Sequence, residues 1–522
     1  MDQFPILITA AFVLGLGVRF LGLPPLVGFL LAGFGLNAAG YSSTPALERI
    51  AEVGVTVLLF TIGLKLRVGS LLRPEVWAGA TLHMALTVTV FGALFFVLPF
   101  GIFAGLELGT AALIAFALSF SSTVFAVKVF EEQGQSEALY ARTAIGILIM
   151  QDVIAVVFLA ASTGKVPSPW ALGLLALIPG RHALKWLMER SGHGELLLLL
   201  GIMMTIAGSE LFELVKLKGD LGALIFGMLV ADHPKAKEMA KSLMGFKDLF
   251  LVGFFLSIGL SGIPSIPDLA IALFLVALVP VKVAIYFGVL TRFNLRARTS
   301  ALTSLGLADY SEFGLIVGAL GVSMGWLSDQ WFLIIAVAVA TTFIVASPVN
   351  AAAHGIYDRL RSRLIRFQTD TRIPEEQPVY VPTAEALIFG MGRVGTGAYD
   401  AIVGEFGDRL VGVDFDPDTV AQHVKEGRNV VRGDPTDLAF CERVINEGSL
   451  SRAMLALPNH QANLLAAREL SSLKEKFGIV ITATAKHDDE VQELEENGVD
   501  AAFNLYAEAG QGYADFVKDT LD

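Results

Sequence analysis

The chain has 522 residues, of which 54% are hydrophobic and 17% are charged, and its formal net charge is −12. A soluble globular protein is about 45–50% apolar and about 25% charged, so the composition excludes an ordinary soluble protein for most of the chain. The single cysteine, Cys441, also excludes an intramolecular disulfide framework.

Charge divides the chain into two parts. Residues 1–366 contain 25 Lys and Arg and 22 Asp and Glu, whereas residues 367–522 contain 13 and 28. The second part is an acidic domain of ordinary size without basic runs, which excludes nucleic acid as a partner. We predict a transmembrane domain over residues 1–364, a linker over 365–383 and a soluble domain over 384–522.

The apolar part is predicted to cross the membrane about thirteen times, since a membrane helix needs about 20 mostly apolar residues. Candidate spans lie near 3–20, 23–40, 48–66, 75–103, 106–130, 143–162, 168–188, 195–215, 219–233, 243–262, 268–291, 297–325 and 329–353. The N-terminus lacks the basic region of a cleaved signal peptide, so the first run is predicted to stay as a span. With the N-terminus outside, twenty Lys and Arg fall on one side of the membrane and four on the other. This bias predicts a cytoplasmic C-terminal domain.

The pair Gln151-Asp152 lies inside one of these apolar spans. A charged side chain in a span costs about 2.5–3.5 kcal/mol, so it is a functional candidate. A carboxylate there can bind a proton and a cation in turn, because both compete for the same oxygens. The neighbouring glutamine adds a neutral carbonyl ligand. The alternative is a structural aspartate that is hydrogen-bonded between helices.

Lys282 is the second charge in the middle of a span, and it follows Pro280. Proline removes a helical hydrogen bond, so a kink is predicted just before the lysine. The ammonium group can neutralise a carboxylate or compete with a bound cation. The alternative is a purely structural ion pair between two helices.

Two spans contain polar or glycine-bounded interruptions, at Ser119–Thr123 and at Gly306–Gly314. Such breaks are typical of inverted repeats, in which two discontinuous helices cross near the membrane midplane and their free carbonyls and dipoles bind ions. The second interruption contains Asp309 and Glu312. The alternative for these two acids is an ordinary capping or snorkelling role near the end of their span.

The soluble part begins with a glycine-rich motif between a strand and a helix. Residues 385–390 form a predicted buried strand, and Gly390, Gly392 and Gly395 give the spacing G-x-G-x-x-G. The next strand ends at Asp414, which lies 19 residues after Gly395. In this context the motif indicates a dinucleotide-binding fold, with phosphate on the glycines and ribose on the acid. The alternative is a fold that has kept the turn and lost its ligand.

Further strands are predicted at 429–434, 452–459, 479–484 and 500–504, with helices between them. This alternation predicts an α/β Rossmann-like domain with a doubly wound sheet. An NAD-dependent enzyme would need a substrate domain as well, and the sequence contains no candidate for one. We therefore interpret the domain as a regulatory sensor.

The combination of about thirteen spans, Gln151-Asp152, Ser121-Ser122-Thr123, Lys282, Ser311-Glu312-Phe313 and a trailing nucleotide fold resembles the Kef-type potassium/proton antiporters of the cation:proton antiporter-2 family. The resemblance implies a homodimer with a moving core bundle. It implies that Asp152 binds the proton or cation with Gln151, Ser121, Ser122 and Thr123, and that Lys282 and Glu312 compensate charge. The appended domain resembles TrkA-N-like potassium-transport domains, which implies AMP or NAD(H) as a regulatory ligand. The residues implied to bind it are Gly390, Gly392, Arg393, Gly395, Asp414, Asp416 and Asp434.

The predicted function is electroneutral K⁺/H⁺ exchange for potassium efflux across the inner (plasma) membrane, gated by nucleotide. One alternative is Na⁺/H⁺ exchange on the same scaffold. Another is a ligand-gated K⁺ channel, although the sequence lacks a T-V-G-Y-G filter. Glutathione controls the best-known Kef systems, but no glutathione site can be mapped onto this sequence, so we do not predict that control. The sequence does not identify an ancillary subunit.

Overall fold

The computed structural model describes residues 4–20, 25–44, 47, 53–54, 56–57, 59–61, 63–64, 72–99, 101–133, 135, 138–162, 168–217, 219–260, 262–377, 384–437, 440–442 and 450–521. Contacts divide the chain into two compact units. The first consists of Met1–Ala126 and Thr143–Thr371, and the second of Val127–Arg142 and Arg372–Asp522.

The apolar part is helical throughout its described regular structure. Its helices are α1 (Phe4–Phe20), α2 (Pro25–Ala38), α3 (Pro74–Val97), α4 (Leu108–Ser119), α5 (Thr123–Glu132), α6 (Leu139–Ser162), α7 (Leu177–Arg190), α8 (Glu195–Leu214), α9 (Gly219–Val230), α10 (Ala236–Leu260), α11 (Ile266–Ala277), α12 (Val279–Arg292), α13 (Ala297–Gly306), α14 (Glu312–Ser323), α15 (Asp329–Ala351) and α16 (Ala353–Leu364).

Within the described ranges, five helical segments are long and apolar enough to cross a membrane: Pro74–Val97, Leu139–Leu159, Glu195–Leu214, Ile266–Arg292 and Asp329–Ala351. Shorter apolar helices lie at Pro5–Phe20, Val27–Ala38, Leu108–Ser119, Leu221–Val230 and Glu312–Ser323. The number of thirteen spans therefore stays a prediction. The segment predicted at 168–188 consists of a 3₁₀ stretch, Pro169–Ala176, followed by α7, a helix that contains Arg181 and Lys185.

The helix is interrupted close to the kink predicted before Lys282, because α11 ends at Ala277 and α12 begins at Val279. Pro280 lies in the first turn of α12, where its missing N–H leaves no helical bond unmade. At this junction the Leu275 carbonyl accepts from the Leu278 N–H at 3.1 Å and also from the Tyr310 hydroxyl at 2.6 Å. Tyr310 thus links the junction of α11 and α12 to the break between α13 and α14.

Close helix packing brings the two interrupted spans together. A Cβ atom on Gly314 of α14 would lie 2.3 Å from the carbonyl oxygen of Ala117 on α4. Only glycine allows this approach, since real Cβ contacts do not occur at that distance. The absence of a side chain at Gly314 therefore sets the backbone of α14 directly against α4, next to both breaks.

The soluble part contains β1 (Ala386–Phe389), α17 (Arg393–Phe406), β2 (Leu410–Asp414), α18 (Pro417–Lys425), β3 (Val430–Arg432), β4 (Arg452–Leu455), α19 (His460–Phe477), β5 (Val480–Ala485), α20 (Asp488–Glu496), β6 (Ala501–Asn504) and α21 (Leu505–Leu521). The six described strands are all parallel in the order β3-β2-β1-β4-β5-β6. The chain adds β2 and β3 on one side of β1 and β4, β5 and β6 on the other, so the strand order reverses between β1 and β4. Folds of this type bind ligands at that point. The predicted doubly wound sheet is confirmed.

The first residues of the predicted linker are held by hydrogen bonds. The Gln368 side chain accepts from the Ala297 N–H at 3.2 Å. The hydroxyls of Thr369 and Thr371 donate to Asn294 at 3.1 and 2.8 Å. Residues 378–383 of the predicted linker lie outside the described residues.

Candidate ion-binding site and nucleotide-binding turn

The two predicted helix breaks are present and are bonded to each other. One separates α4 from α5 at residues 120–122, and the other separates α13 from α14 at residues 307–311. The Ser121 hydroxyl donates to the Leu307 carbonyl at 3.0 Å, and the Ser122 N–H donates to Asp309 Oδ1 at 3.1 Å. The prediction of two discontinuous helices that cross is confirmed.

Lys282 is fully buried beside this crossing. Its ammonium group donates to the carbonyl of Phe120 at 2.5 Å and to that of Asp309 at 2.7 Å. Phe120 directly follows the C-terminal end of α4, which carries partial negative charge, and Asp309 lies within the break between α13 and α14. No carboxylate of the described residues lies within 4.0 Å of the ammonium nitrogen. Lys282 therefore contacts a carbonyl at each of the two breaks, and its roles as a compensating charge or as a structural ion pair stay predictions.

Asp152 lies on α6 and is 1% exposed. The Thr123 hydroxyl, at the first residue of α5, donates to Asp152 Oδ2 at 3.2 Å. The predicted ligands Ser121, Ser122 and Thr123 therefore lie on the break that faces α6. A carboxylate held in this way beside a helix N-terminus can bind either a proton or a cation.

Gln151 has its side-chain amide bonded to the same break. Its Oε1 accepts from the Ser121 N–H at 3.0 Å, while its Nε2 donates to the Ser119 carbonyl at 3.3 Å. Nε2 also donates to the Tyr286 hydroxyl at 2.7 Å. An N–H donor and a carbonyl acceptor on opposite atoms determine the amide orientation. Gln151 therefore bonds the backbone on both sides of the break, and the sequence did not indicate these bonds.

Asp309 and Glu312 are buried at the second break, with exposures of 0% and 3%. Glu312 is the first residue of α14, and its Oε2 accepts from the Ser311 hydroxyl at 3.3 Å. Asp309 Oδ2 and Glu312 Oε1 have no hydrogen-bond partner in the part of the chain that the structure describes. Burial at the crossing excludes a snorkelling role for both acids. The carboxylate of each lies at a helix N-terminus, where negative charge is stabilised.

Two aromatic residues at the site, Tyr286 and His83, were not predicted from the sequence. Tyr286 lies one turn after Lys282 on α12, and that spacing of four residues places both on one helix face. Its ring stacks on His83 of α3, with 3.3 Å between ring centroids and 4° between planes. His83 could have been identified as a candidate because it is a single histidine within an apolar span.

The glycines of the soluble domain have distinct structural roles. Gly390 has φ +91°, a conformation that other residues rarely adopt. A Cβ on Gly395 would lie 1.8 Å from the Gly390 carbonyl oxygen, so the start of α17 packs directly on the turn. Nothing lies within 4 Å of a Cβ built on Gly392, which caps α17. The turn therefore leaves space at Gly392 for a phosphate at the helix N-terminus.

The acidic residues predicted at this turn differ in what they bond. Asp414 accepts the N–H of Met391 at 2.8 Å with one oxygen and that of Asp416 at 2.9 Å with the other. A carboxylate has about four lone-pair positions, so Asp414 can still accept ribose hydroxyls. Asp416 caps α18, and its side chain accepts from the N–H of Asp418 and the hydroxyl of Thr419.

The remaining predicted residues lie at the edges of the turn. Asp434 accepts from the N–H and the hydroxyl of Thr436, and the adjacent Gly433 N–H donates to the Asp414 carbonyl at 3.0 Å. Arg393 is exposed at the first residue of α17. The structure therefore brings Gly390, Gly392, Gly395 and Asp414 together at one turn and gives Asp416 a capping role. These residues fit a nucleotide, with phosphate at Gly392 and a sugar at Asp414.

The sequence analysis did not identify His423, whose side chain bonds the backbone of the glycine-rich turn. Its Nε2 lies 2.8 Å from the Met391 carbonyl and its Nδ1 lies 3.0 Å from Arg428 NH1. Because the carbonyl can only accept and the guanidinium can only donate, the proton resides on Nε2. Arg428 in turn bonds Asp400 through two nitrogens, at 2.7 and 2.9 Å.

The membrane part matches a known family. A family model described as "Sodium/hydrogen exchanger, transmembrane" matches residues 7–351, which is more than half of the chain. The chain belongs to this family. A second model, described as the TrkA-N domain, matches residues 386–505 of the exchanger. The exchanger is therefore a multi-pass membrane transporter of the cation/proton antiporter type with a Rossmann-like domain, and it is not an enzyme.

The chain is also similar to individual relatives and solved structures. The exchanger is 29% identical to "Glutathione-regulated potassium-efflux system protein KefC" of Salmonella schwarzengrund over 94% of this chain and 80% of the relative. The sodium proton antiporter MjNhaP1 of Methanocaldococcus jannaschii is 15% identical, with 69% of this chain and 96% of that chain covered and a TM-score of 0.49. The TrkA-N domain of the Escherichia coli inner membrane protein ybaL is 21% identical, with 26% and 98% covered and a TM-score of 0.23. The predicted resemblance to Kef-type antiporters with a TrkA-N domain is confirmed.

Proposed function

We propose that the exchanger transports K⁺ against H⁺, with Asp152 as the group that carries each in turn. The observation that carries this proposal is the buried Asp152 carboxylate, which accepts from Thr123 at 3.2 Å beside the crossing of two broken helices. A cation that binds the carboxylate oxygens displaces the proton from them, and a proton displaces the cation. This competition is sufficient for exchange without a second carrier.

The surrounding residues supply neutral oxygens and charge balance. The hydroxyls of Ser121, Ser122 and Thr123 lie at the break and complete the ligand set with Asp152. Gln151 stabilises the conformation of the break through its bonds to Ser119 and Ser121. Its carbonyl oxygen has a second lone pair with which it can contact the cation. Lys282 and Glu312 balance the partial charges of the helix ends.

Exchange also requires that the site open to each side of the membrane. Asp152 is 1% exposed and Gln151 is 0% exposed, so neither reaches bulk water in this conformation. Two half-helices that meet at a break can move relative to the rest of the bundle without breaking a continuous helix. We propose that movement of the crossed breaks exposes Asp152 first to one side and then to the other.

K⁺ is the proposed cation because the KefC relatives are named as potassium-efflux proteins. A neutral Gln151 beside a single acid also suits a weakly hydrated ion, which needs less charge to replace its water. Na⁺/H⁺ exchange is the second candidate, since the family model is that of a sodium/hydrogen exchanger. The two differ in the KM for each ion in one assay.

The test uses purified protein in proteoliposomes, with an internal pH dye and pulses of K⁺ or Na⁺. We expect a K⁺-selective proton flux that is lost in Asp152→Asn. Asp329→Asn is the matched control, because Asp329 is an exposed aspartate in the first turn of α15. Undiminished exchange in Asp152→Asn would overturn the site assignment, and K⁺ flux without proton movement would favour the channel.

We also propose that AMP or NAD(H) binds the turn at Gly390, Gly392, Gly395 and Asp414, with Arg393 and Asp434 at its edges, and gates transport. The open space at Gly392 and the lone pairs of Asp414 support this proposal. We propose a homodimer in the inner membrane with a cytoplasmic soluble domain. Its exchanger domain would cover residues 1–364, its linker 365–383 and its regulatory domain 384–522.

A further inference from the structure

An arginine-rich helix follows directly on the last long membrane segment. The segment α15 ends at Ala351, and α16 begins two residues later at Ala353. Residues 353–371 contain four arginines and two aspartates, with the arginines at Arg359, Arg361, Arg363 and Arg366. Because α15 is long and apolar enough to span the membrane, its continuation leaves the bilayer close to the lipid headgroups.

One flank of α16 is packed against the protein and the other is open. Tyr357 and Leu364 join an apolar cluster with Ala297 and Ala301 of α13. Arg359 and Arg363 lie four residues apart on the open flank, and both are exposed. Leu360, beside them, is 38% exposed. The open flank therefore combines positive charge with apolar surface, as in helices that lie in a membrane interface.

The arginines of this flank have no acidic partner in the described part of the chain. No carboxylate among the described residues lies within 4.0 Å of Arg359, Arg363 or Arg366. The same holds for Arg292, the last residue of α12. An exposed guanidinium without a protein partner presents its fork of donors to an external anion.

Aromatic residues indicate the depth of this surface. Trp77 is 45% exposed, and its ring contacts Phe293, the residue after Arg292, with centroids 6.1 Å apart. Phe367 is 64% exposed and contacts Phe287 of α12, also at 6.1 Å. Tryptophan and other aromatic side chains are typical of the boundary between hydrocarbon and headgroups. The arginines next to these rings therefore lie at headgroup level.

We propose that the open flank of α16, with Arg359, Arg363 and Arg366, and the neighbouring Arg292 form a binding surface for the phosphate groups of anionic phospholipids. Clusters of arginines immediately beyond a membrane helix bind anionic lipid electrostatically. The bidentate fork of each guanidinium matches a phosphate oxygen pair. This surface is separate from the ion site, and the inference does not depend on which cation is transported.

The test measures the melting temperature of the full-length protein in detergent as phosphatidylglycerol is added, with phosphatidylcholine as the uncharged lipid. We expect stabilisation by phosphatidylglycerol only. Each arginine near an anionic surface changes affinity about fivefold, so the double variant R359Q/R363Q should raise the half-saturating lipid concentration about 30-fold. The control is R181Q/R190Q, which removes two exposed arginines from α7.

Each outcome decides the proposal. A 30-fold loss in R359Q/R363Q with little change in R181Q/R190Q supports it. An unchanged titration in R359Q/R363Q, or an equal loss in both variants, would overturn it. Stabilisation by inorganic phosphate alone would overturn the assignment to lipid and indicate a site for a soluble anion. An unaltered melting temperature in phosphatidylcholine shows that each variant is folded.

Discussion

Tyr286→Phe tests whether the hydroxyl of Tyr286 orients the ion site. Tyr286 is 0% exposed, and its hydroxyl accepts from Gln151 Nε2 at 2.7 Å and lies 3.3 Å from the Ser121 hydroxyl. Phenylalanine keeps the ring that stacks on His83, so only the hydroxyl is lost. Ser121 keeps its bond to the Leu307 carbonyl. The substitution therefore removes one bond from the Gln151 amide and the longer contact with the Ser121 hydroxyl.

The expected magnitude follows from that bond. Gln151 Nε2 has two protons, and the Ser119 carbonyl accepts only one of them. The other would remain buried without an acceptor, at a cost of about 1–3 kcal/mol. This cost corresponds to a factor of about 5 to 160 in an equilibrium constant. Because Gln151 adjoins Asp152, we expect the KM for K⁺ to rise within that range while the maximal rate changes less.

Tyr310→Phe is the matched control. Tyr310 is also 0% exposed, and its hydroxyl donates to the Leu275 carbonyl at 2.6 Å, away from Gln151. Tyr310→Phe also removes one buried hydrogen bond, but the Leu275 carbonyl keeps its bond from the Leu278 N–H at 3.1 Å, so we expect its melting temperature to fall no more than that of Tyr286→Phe. Only Tyr286→Phe should raise the KM for K⁺ in the proteoliposome assay. Equal KM changes in the two variants, or no change in Tyr286→Phe, would refute the orienting role.

Two further predictions concern the soluble domain. Gly395→Ala would place a Cβ 1.8 Å from the Gly390 carbonyl, whereas Gly392→Ala meets nothing within 4 Å. We therefore expect Gly395→Ala to lower the melting temperature and abolish AMP or NADH binding by calorimetry, and Gly392→Ala to weaken binding with little loss of stability; equal stability losses would contradict this. The hydrogen bond from Lys474, at 2.7 Å, lowers the pKa of Asp500 below its ordinary 3.8. Such a pair contributes about 0.2–1 kcal/mol above the unfolded-state pKa and loses it as pH falls through the lower folded pKa. The difference in melting temperature between wild type and Asp500→Asn should therefore be present at neutral pH and shrink as the pH falls below 3.8 through the lowered pKa of Asp500; a difference that does not shrink in acid would show that the charge is not its origin.

Features with local signals were predicted correctly from the sequence. Residues 119–123 interrupt an apolar run with polar residues, and residues 306–314 do so with glycines at both ends, and both interruptions are helix breaks in the structure. Pro280 likewise lies beside a helix interruption at Leu278. The alternation of short apolar runs with amphipathic segments gave all six described strands of the soluble domain.

Features that depend on distant parts of the chain were not predicted. The Ser122 N–H bonds Asp309 across 187 residues, and no local pattern indicates which acid caps which helix. Tyr286 and His83 meet only because α12 packs against α3, so neither has a partner that the sequence reveals. The role of Gln151 was incomplete for the same reason, since its bonds reach a break 30 residues away.

The charges at the crossing can be assigned to two different tasks. Lys282 donates to the Phe120 carbonyl at the C-terminal end of α4 and to the Asp309 carbonyl in the second break, and the Asp309 carboxylate accepts from the Ser122 N–H at the N-terminal end of α5. We propose that these two side chains compensate partial charges of opposite sign at the breaks. The Thr123 hydroxyl donates to Asp152 Oδ2 at 3.2 Å. If the Asp152 carboxylate is the proposed carrier, its charge changes when a cation replaces a proton, and we expect one proton to move for each cation.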